Sequence, residues 1–122
     1  MKMKEGKENT TPAEATKEEI DWANKVKRWK NQYGKVYQIF VSIDGEDGEE
    51  EVYGILKTPD MATIKAFRST YAQDELQAQI NYVNDTWIDG DERIKTNPIY
   101  FLSFCAKAGK ILELRETRLV KL

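Results

Sequence analysis

The hydrophobic period of this sequence changes at Gly34. Before it, Trp22, Val26, Trp29 and Tyr33 fall at i, i+4, i+7 and i+11, one stripe of an α-helix. After it, Tyr37, Ile39, Val41 and Ile43 alternate with Gln38, Phe40 and Ser42, the period of a half-buried strand. One segment cannot satisfy both periods, so a helix must end and a strand begin around the glycine, which tolerates a left-handed helix terminus. Upstream, Thr16 and Glu19 have the spacing of a capping box, in which each side chain satisfies an orphaned backbone donor of the first turn. The spacing therefore predicts a helix over 17–33. Its acids (Glu18, Glu19, Asp21) come early and its bases (Lys25, Lys27, Arg28, Lys30) late, as the helix dipole favours.

The run Asp44-Gly45-Glu46-Asp47-Gly48 reads as a turn, and Val52, Tyr53, Ile55 and Leu56 as a returning strand over 49–58, which makes a hairpin. A two-stranded ribbon is marginal alone, so helices or another subunit's sheet must cover its apolar face. Thr58-Pro59-Asp60 predicts a helix start with Thr58 as cap and Pro59 first, carrying Met61, Ile64, Phe67 and Tyr71. Asp74 opens a second helix with Leu76, Ile80, Val83 and Trp87, ended by the Asp89-Gly90-Asp91 turn. Asn97-Pro98 opens a long last helix in which Phe101, Phe104, Cys105, Ala108, Ile111 or Leu112, Arg115, Leu119 and Leu122 recur at helical spacing, with Gly109 as the place where it bends or breaks. The expected fold class is α+β: an N-terminal amphipathic helix, a β-hairpin, then a three-helix C-terminal part. Residues 1–15 are read as a flexible charged arm, because their only apolar members are Met1, Met3, Ala13 and Ala15. Residues 16–122 are read as a single small α+β domain.

Composition excludes several function classes. The formal net charge is -2, which argues against a protein devoted to gripping duplex DNA. The chain has no apolar run near the ~20 residues a membrane helix needs, and its N-terminal lysines are not followed by an apolar stretch. An intracellular, non-membrane protein is expected. With no histidine, the commonest acid/base group and metal ligand is missing, and Ser/His/Asp or Cys/His pairs cannot form within the chain. The lone Cys105 lies on an apolar stripe between Phe104 and Ala108, the place of a buried, inert thiol. Asp89, Asp91 and Glu92 cluster near Trp87, but acids around a glycine turn are ordinarily solvated loop residues. Six acids fall in the eight residues from Asp44 to Glu51, without the spacing of a calcium loop, and read as an exposed hairpin tip. No catalytic, cofactor-binding or metal residue is assigned, and the chain is read as a non-enzyme.

Binding is what remains. Lys25, Lys27, Arg28, Lys30 and Lys35 interleave with Trp29 and Tyr33 in a basic-aromatic mix that suits single-stranded nucleic acid, so a nucleic-acid-binding accessory protein using helix 17–33 is the alternative reading. Because Trp29 and Tyr33 share a stripe with Trp22 and Val26, a core or protein partner is favoured over bases. A basic helix and an acidic hairpin tip together make a dipolar molecule suited to docking or homo-oligomer formation. The partner-binding candidates are Trp22, Trp29, Lys27, Arg28, Tyr37 and Tyr53, aromatic anchors and bases on the helix and hairpin.

The layout also resembles a known group. A short amphipathic helix leading through Trp29-Lys30-Asn31-Gln32-Tyr33-Gly34-Lys35-Val36-Tyr37 into the hairpin, the turn Leu56-Lys57-Thr58-Pro59-Asp60, and helices carrying Trp87-Ile88-Asp89-Gly90-Asp91 and ending Leu119-Val120-Lys121-Leu122 resemble small morphogenesis proteins of tailed bacteriophages and prophages. The tail assembly chaperone group is the nearest in layout, over about residues 20–122. The resemblance implies a non-enzymatic protein that binds other phage structural proteins, transiently during tail building or permanently in the particle. Its place would be the virion or the host cytoplasm during assembly. The charged arm lies outside the pattern and suits a subunit that threads onto a capsid or connector surface.

Overall fold

The computed structural model describes residues 16–122, which fall in two compact units, one ending at Gly34 and one running from Lys35 to Leu122. The expectation for the arm at 1–15 lies outside the described residues. In the first unit, α1 (Lys17–Tyr33) starts at the reciprocal cap: Thr16 Oγ1 accepts from the Glu19 N–H at 3.1 Å, and the Glu19 carboxylate accepts from the Thr16 N–H at 3.0 Å. Gly34 ends the helix at φ 81°, its N–H donating to the Lys30 carbonyl. Trp22, Val26, Trp29 and Tyr33 are half-buried, and no residue of α1 is fully buried.

In the second unit, β1 (Val36–Gly45) and β2 (Gly48–Lys57) pair antiparallel without a slip, from Val36↔Lys57 to Gly45↔Gly48, around the two-residue turn Glu46-Asp47. Gly48 sits at φ 117°, a conformation that favours glycine in such turns. Thr58 does not cap the next helix. Its N–H and hydroxyl both donate to the Lys35 carbonyl, at 3.2 and 2.6 Å, and close the base of the hairpin. The cap of α2 (Met61–Tyr71) is Asp60, whose carboxylate accepts from the Thr63 N–H at 2.8 Å, so Pro59 precedes the helix. Asp74 caps α3 (Glu75–Thr86) as expected.

Trp87 does not extend that helix. The chain turns into a short strand, β3 (Trp87–Gly90), which pairs antiparallel with β2 through Gly54↔Gly90, Ile55↔Asp89 and Leu56↔Trp87, with an irregularity between Ile55 and Leu56. The sheet order is β1-β2-β3, so the hairpin gains a third strand of its own chain. Asp91 caps the short α4 (Glu92–Thr96), and Asn97 caps α5 (Pro98–Ala108), accepting from the Ile99 and Tyr100 N–H groups at 2.9 and 3.1 Å. The last helix is shorter than its sequence stripe. It stops at Ala108, a 3₁₀ turn covers Gly109–Leu112, and residues 113–122 are neither helix nor strand. Gly109 weakens propagation by about 1 kcal/mol. Beyond it Leu114 and Leu119 are 86% and 96% exposed, so no burial offsets that cost.

Strand alternation then builds the core on one face of the sheet. Ile39, Val41, Ile43, Val52 and Leu56 are buried in one cluster with Tyr82 and Val83 of α3, Ile94 of α4, and Phe104, Cys105 and Ala108 of α5. Each large side chain fully removed from water contributes roughly 1.5–3 kcal/mol. Gly54 leaves the gap into which the Trp87 and Phe104 rings pack, 5.4 Å apart. The opposite face carries Gln38, Phe40, Ser42 and Asp44 in the open, beside half-buried Tyr53 and buried Ile55.

Candidate partner-binding surface

The partner-binding candidates divide between the two units. On α1 the rings of Trp22 and Trp29 meet edge to face, centroids 5.8 Å apart at 83°, and Lys25 Nζ lies 5.9 Å from the Trp29 ring centre. Lys27 and Arg28 are exposed. The Trp29 ring is thus engaged by an aromatic edge and a cation, and both compete with stacking on a nucleobase. Because the ring is only half-buried, Trp29→Ala is expected to lower stability by about 1 kcal/mol, the scale of an aromatic pair. Urea denaturation measures it, and a loss of several times that size would show a ring seated in a core.

In the second unit, Tyr37 and Tyr53 lie on opposite faces of the sheet and cannot share one contact surface. Tyr37 faces Leu56 on the helix-covered side. It lines a groove of about 470 Å³ with Thr58, Ile64, Phe67, Ile111 and Leu112. Tyr53 pairs with Phe40 on the open face, edge to face with centroids 6.1 Å apart. Phe40, 52% exposed, was not among the sequence candidates. Alternation puts it opposite the core and so gives it the role of a solvated position, and no local signal distinguishes a wet strand face from a sticky one.

The acidic hairpin tip is organised by Arg93, which sequence reasoning also passed over. Its guanidinium reaches both oxygens of Glu50, at 3.3 and 3.1 Å, and both oxygens of Asp91, at 3.0 and 2.8 Å. Arg93 and Glu50 are about half exposed, so the network positions the tip more than it stabilises it. Asp91 is therefore occupied as a helix cap and ion-pair partner, and Asp89 accepts from the Gly90 N–H at 2.9 Å. The Arg93 hydrogen bond holds the Asp91 carboxyl below the usual carboxylate range. A folded-state value below the unfolded one contributes stability above about pH 4, which is lost as the pH falls through the lowered folded value. Asp91→Asn keeps a good cap. The uncharged amide stands in for the protonated carboxyl, so the variant is expected to lose stability on the neutral plateau and to match the parent near pH 2.5, which flattens the acid limb, as read from urea midpoints between pH 7 and pH 2.5.

Burial pushes the Cys105 thiol up to about 11, so at neutral pH it carries almost no thiolate. Among the described residues no three His, Cys, Asp or Glu side chains converge as metal ligands would. None of the helices there is long and apolar enough to cross a membrane. The other apolar surface missed from sequence is the segment after the 3₁₀ turn, where Leu114, Leu119, Val120 and Leu122 are exposed. Helical spacing disguised Leu119 and Leu122 as members of a core stripe, and Leu114 and Val120 lie outside that spacing.

Comparison with protein families matches residues 29–99, more than half of the 122-residue chain, to a family described as a domain of unknown function, DUF6848. The match runs from the last turn of α1 through the whole sheet to the start of α5 and stops before the exposed C-terminal leucines. No curated protein and no solved structure matches the chain.

Proposed function

We propose that this chain, which belongs to the DUF6848 family, is a non-enzymatic protein that works by contact with other proteins in building a tailed phage particle. It acts as a tail-assembly-chaperone-like factor or as an auxiliary component of the virion, and so works in the virion or in the host cytoplasm during assembly. The observation that carries this reading is where the chain leaves apolar surface in water. Four of the ten residues from 113 to 122 are exposed large apolar side chains, and Phe40 stands on the open sheet face. Scattered apolar residues are normal on a surface, whereas a short segment made of them has the character of a contact site. The phage context rests on the resemblance of the sequence layout of helix, hairpin and helices to small morphogenesis proteins of tailed phages.

The test is calorimetric titration of the full chain with purified phage structural proteins from capsid, connector and tail. Saturable binding to at least one, little affected by salt, is expected of an apolar contact. Binding to none of them would overturn the reading. So would salt-dependent binding to a labelled oligonucleotide that is lost in a Lys27→Glu/Arg28→Glu variant, because that is the behaviour of the nucleic-acid alternative.

A further inference from the structure

We infer that the free edge of β1 accepts the C-terminal segment of a second copy of this chain as an added antiparallel strand. The inference rests on the reading of this chain as a protein-contact module and names one partner for it.

In an antiparallel pair, alternate residues turn their N–H and C=O groups toward the neighbouring strand. The Lys35 carbonyl accepts from Thr58, and Gly45 faces Gly48 across the turn, so the odd-numbered residues of β1 bond to β2 and the even-numbered ones face away. Asp44 agrees with this parity, because its N–H is met from outside by the Tyr100 hydroxyl at 3.0 Å. Among the described residues, no backbone hydrogen bond reaches that outer side at Val36, Gln38, Phe40 or Ser42. A run of unpaired main-chain groups this long is a template for another strand.

The C-terminal segment has the matching properties. It leaves the 3₁₀ turn in an extended conformation at Glu113 (φ -64°, ψ 137°), forms no strand of its own, and carries Leu119 96% exposed. One antiparallel register satisfies both partners. With Leu119 opposite Phe40, Thr117 falls opposite Ser42 and Arg115 reaches Asp44, where the Tyr100 hydroxyl already meets the outward N–H and ends the ladder, giving an apolar pair, a hydroxyl pair and a side-chain ion pair on the same open face. A slip of one residue would send Leu119 to the other face, and a slip of two would break all three pairs. Parallel addition with the same leucine pair would instead place Arg115 beside Val36, next to Lys35 and Lys57.

The donor must be another molecule. Arg115 lines the groove that also holds Tyr37, and Asp44 lies seven residues further along β1, about 23 Å at the rise of an extended chain. A chain's own segment leaves from the Tyr37 end and could only run parallel to β1. Donor segment and acceptor edge are different surfaces, so the contact is heterologous and leads to rings or open chains.

The test mixes two full-length single-cysteine variants, Ser42→Cys and Thr117→Cys, under mild oxidation. Both sites are exposed, and opposite residues of a hydrogen-bonded antiparallel pair have the Cα spacing a disulfide needs. Cys105 is buried and stays out of the reaction. The mixed disulfide is expected to exceed either self-disulfide at least tenfold. It should vanish when Leu119→Pro, which cannot donate to the ladder, is added to the Thr117→Cys chain. The melting temperature of that chain should not change, because Leu119 is almost fully exposed. Light scattering of the unmodified protein should show mass rising with concentration past the dimer. A concentration-independent monomer, no excess of the mixed disulfide, or its survival with Leu119→Pro would overturn the inference. If the cross-link fails while a phage structural protein still binds, the segment serves another partner and the inference falls alone. If the cross-link forms and no structural protein binds, it is the functional reading that falls.

Discussion

Gly54→Ala is expected to remove about 3 kcal/mol of stability, the upper range for forcing an extra carbon into a packed core. A Cβ at Gly54 would lie 2.6 Å from Phe104 Cε2, 2.8 Å from Phe104 Cζ and 2.7 Å from Trp87 Cζ3. These are ring atoms of packed aromatics, not the ends of flexible side chains, and neither ring has room to retreat. Phe104 is completely buried, and Trp87 is braced from beneath by Gly90, whose own Cβ position lies 2.8 Å from the indole and 2.7 Å from the Gly54 Cα. Gly90 also holds φ 153°, so the β2–β3 pair requires glycine on both sides for two separate reasons, close approach and backbone conformation. For a small domain with 5–15 kcal/mol in total, a loss of this size should move the urea midpoint far enough to be unmistakable. A change within a few tenths of a kcal/mol would mean that the rings do not rest on Gly54.

That same contact marks where the sequence stops being legible. The capping box at Thr16, the switch of period at Gly34, the cap at Asp74 and the Asn97-Pro98 start are local chemistry, and each appears at the residue expected. Trp87 continues the spacing of Leu76, Ile80 and Val83, which predicts it in the helix. Its real place depends on a pair of glycines far apart in sequence, and no local period encodes that. The same spacing put Leu76 in the core, whereas Leu76 is 47% exposed and Tyr82 is 2% exposed, since helix α3 turns Ala78, Tyr82, Val83 and Thr86 inward. The C-terminal stripe failed for a related reason, because spacing names a face without guaranteeing that anything covers it. At the binding surface, the Trp22–Trp29 pair was legible as two residues on one helical stripe. The β1 edge was not, because whether a strand is central or peripheral is a property of the sheet, and the third strand joined β2 rather than β1.

Phe104→Ala is expected to cost about 4 kcal/mol, within the range for deleting a buried phenylalanine. The residue is 0% exposed, and its ring packs 5.4 Å from Trp87 over the space left by Gly54, with Leu56, Tyr82 and Val83 in the same cluster. The site can collapse only partially, because the sheet beneath is held by the unbroken β1–β2 register and by β3. The sharper result concerns the two substitutions together. Alone, the Gly54 methyl collides with the ring; without the ring, the same methyl enters the cavity and replaces part of the lost contact. The double variant should therefore be more stable than the sum of the single losses predicts by at least 1 kcal/mol, the coupling expected of residues in direct contact. Strict additivity would place the two residues in separate parts of the core and remove the reason for glycine at position 54.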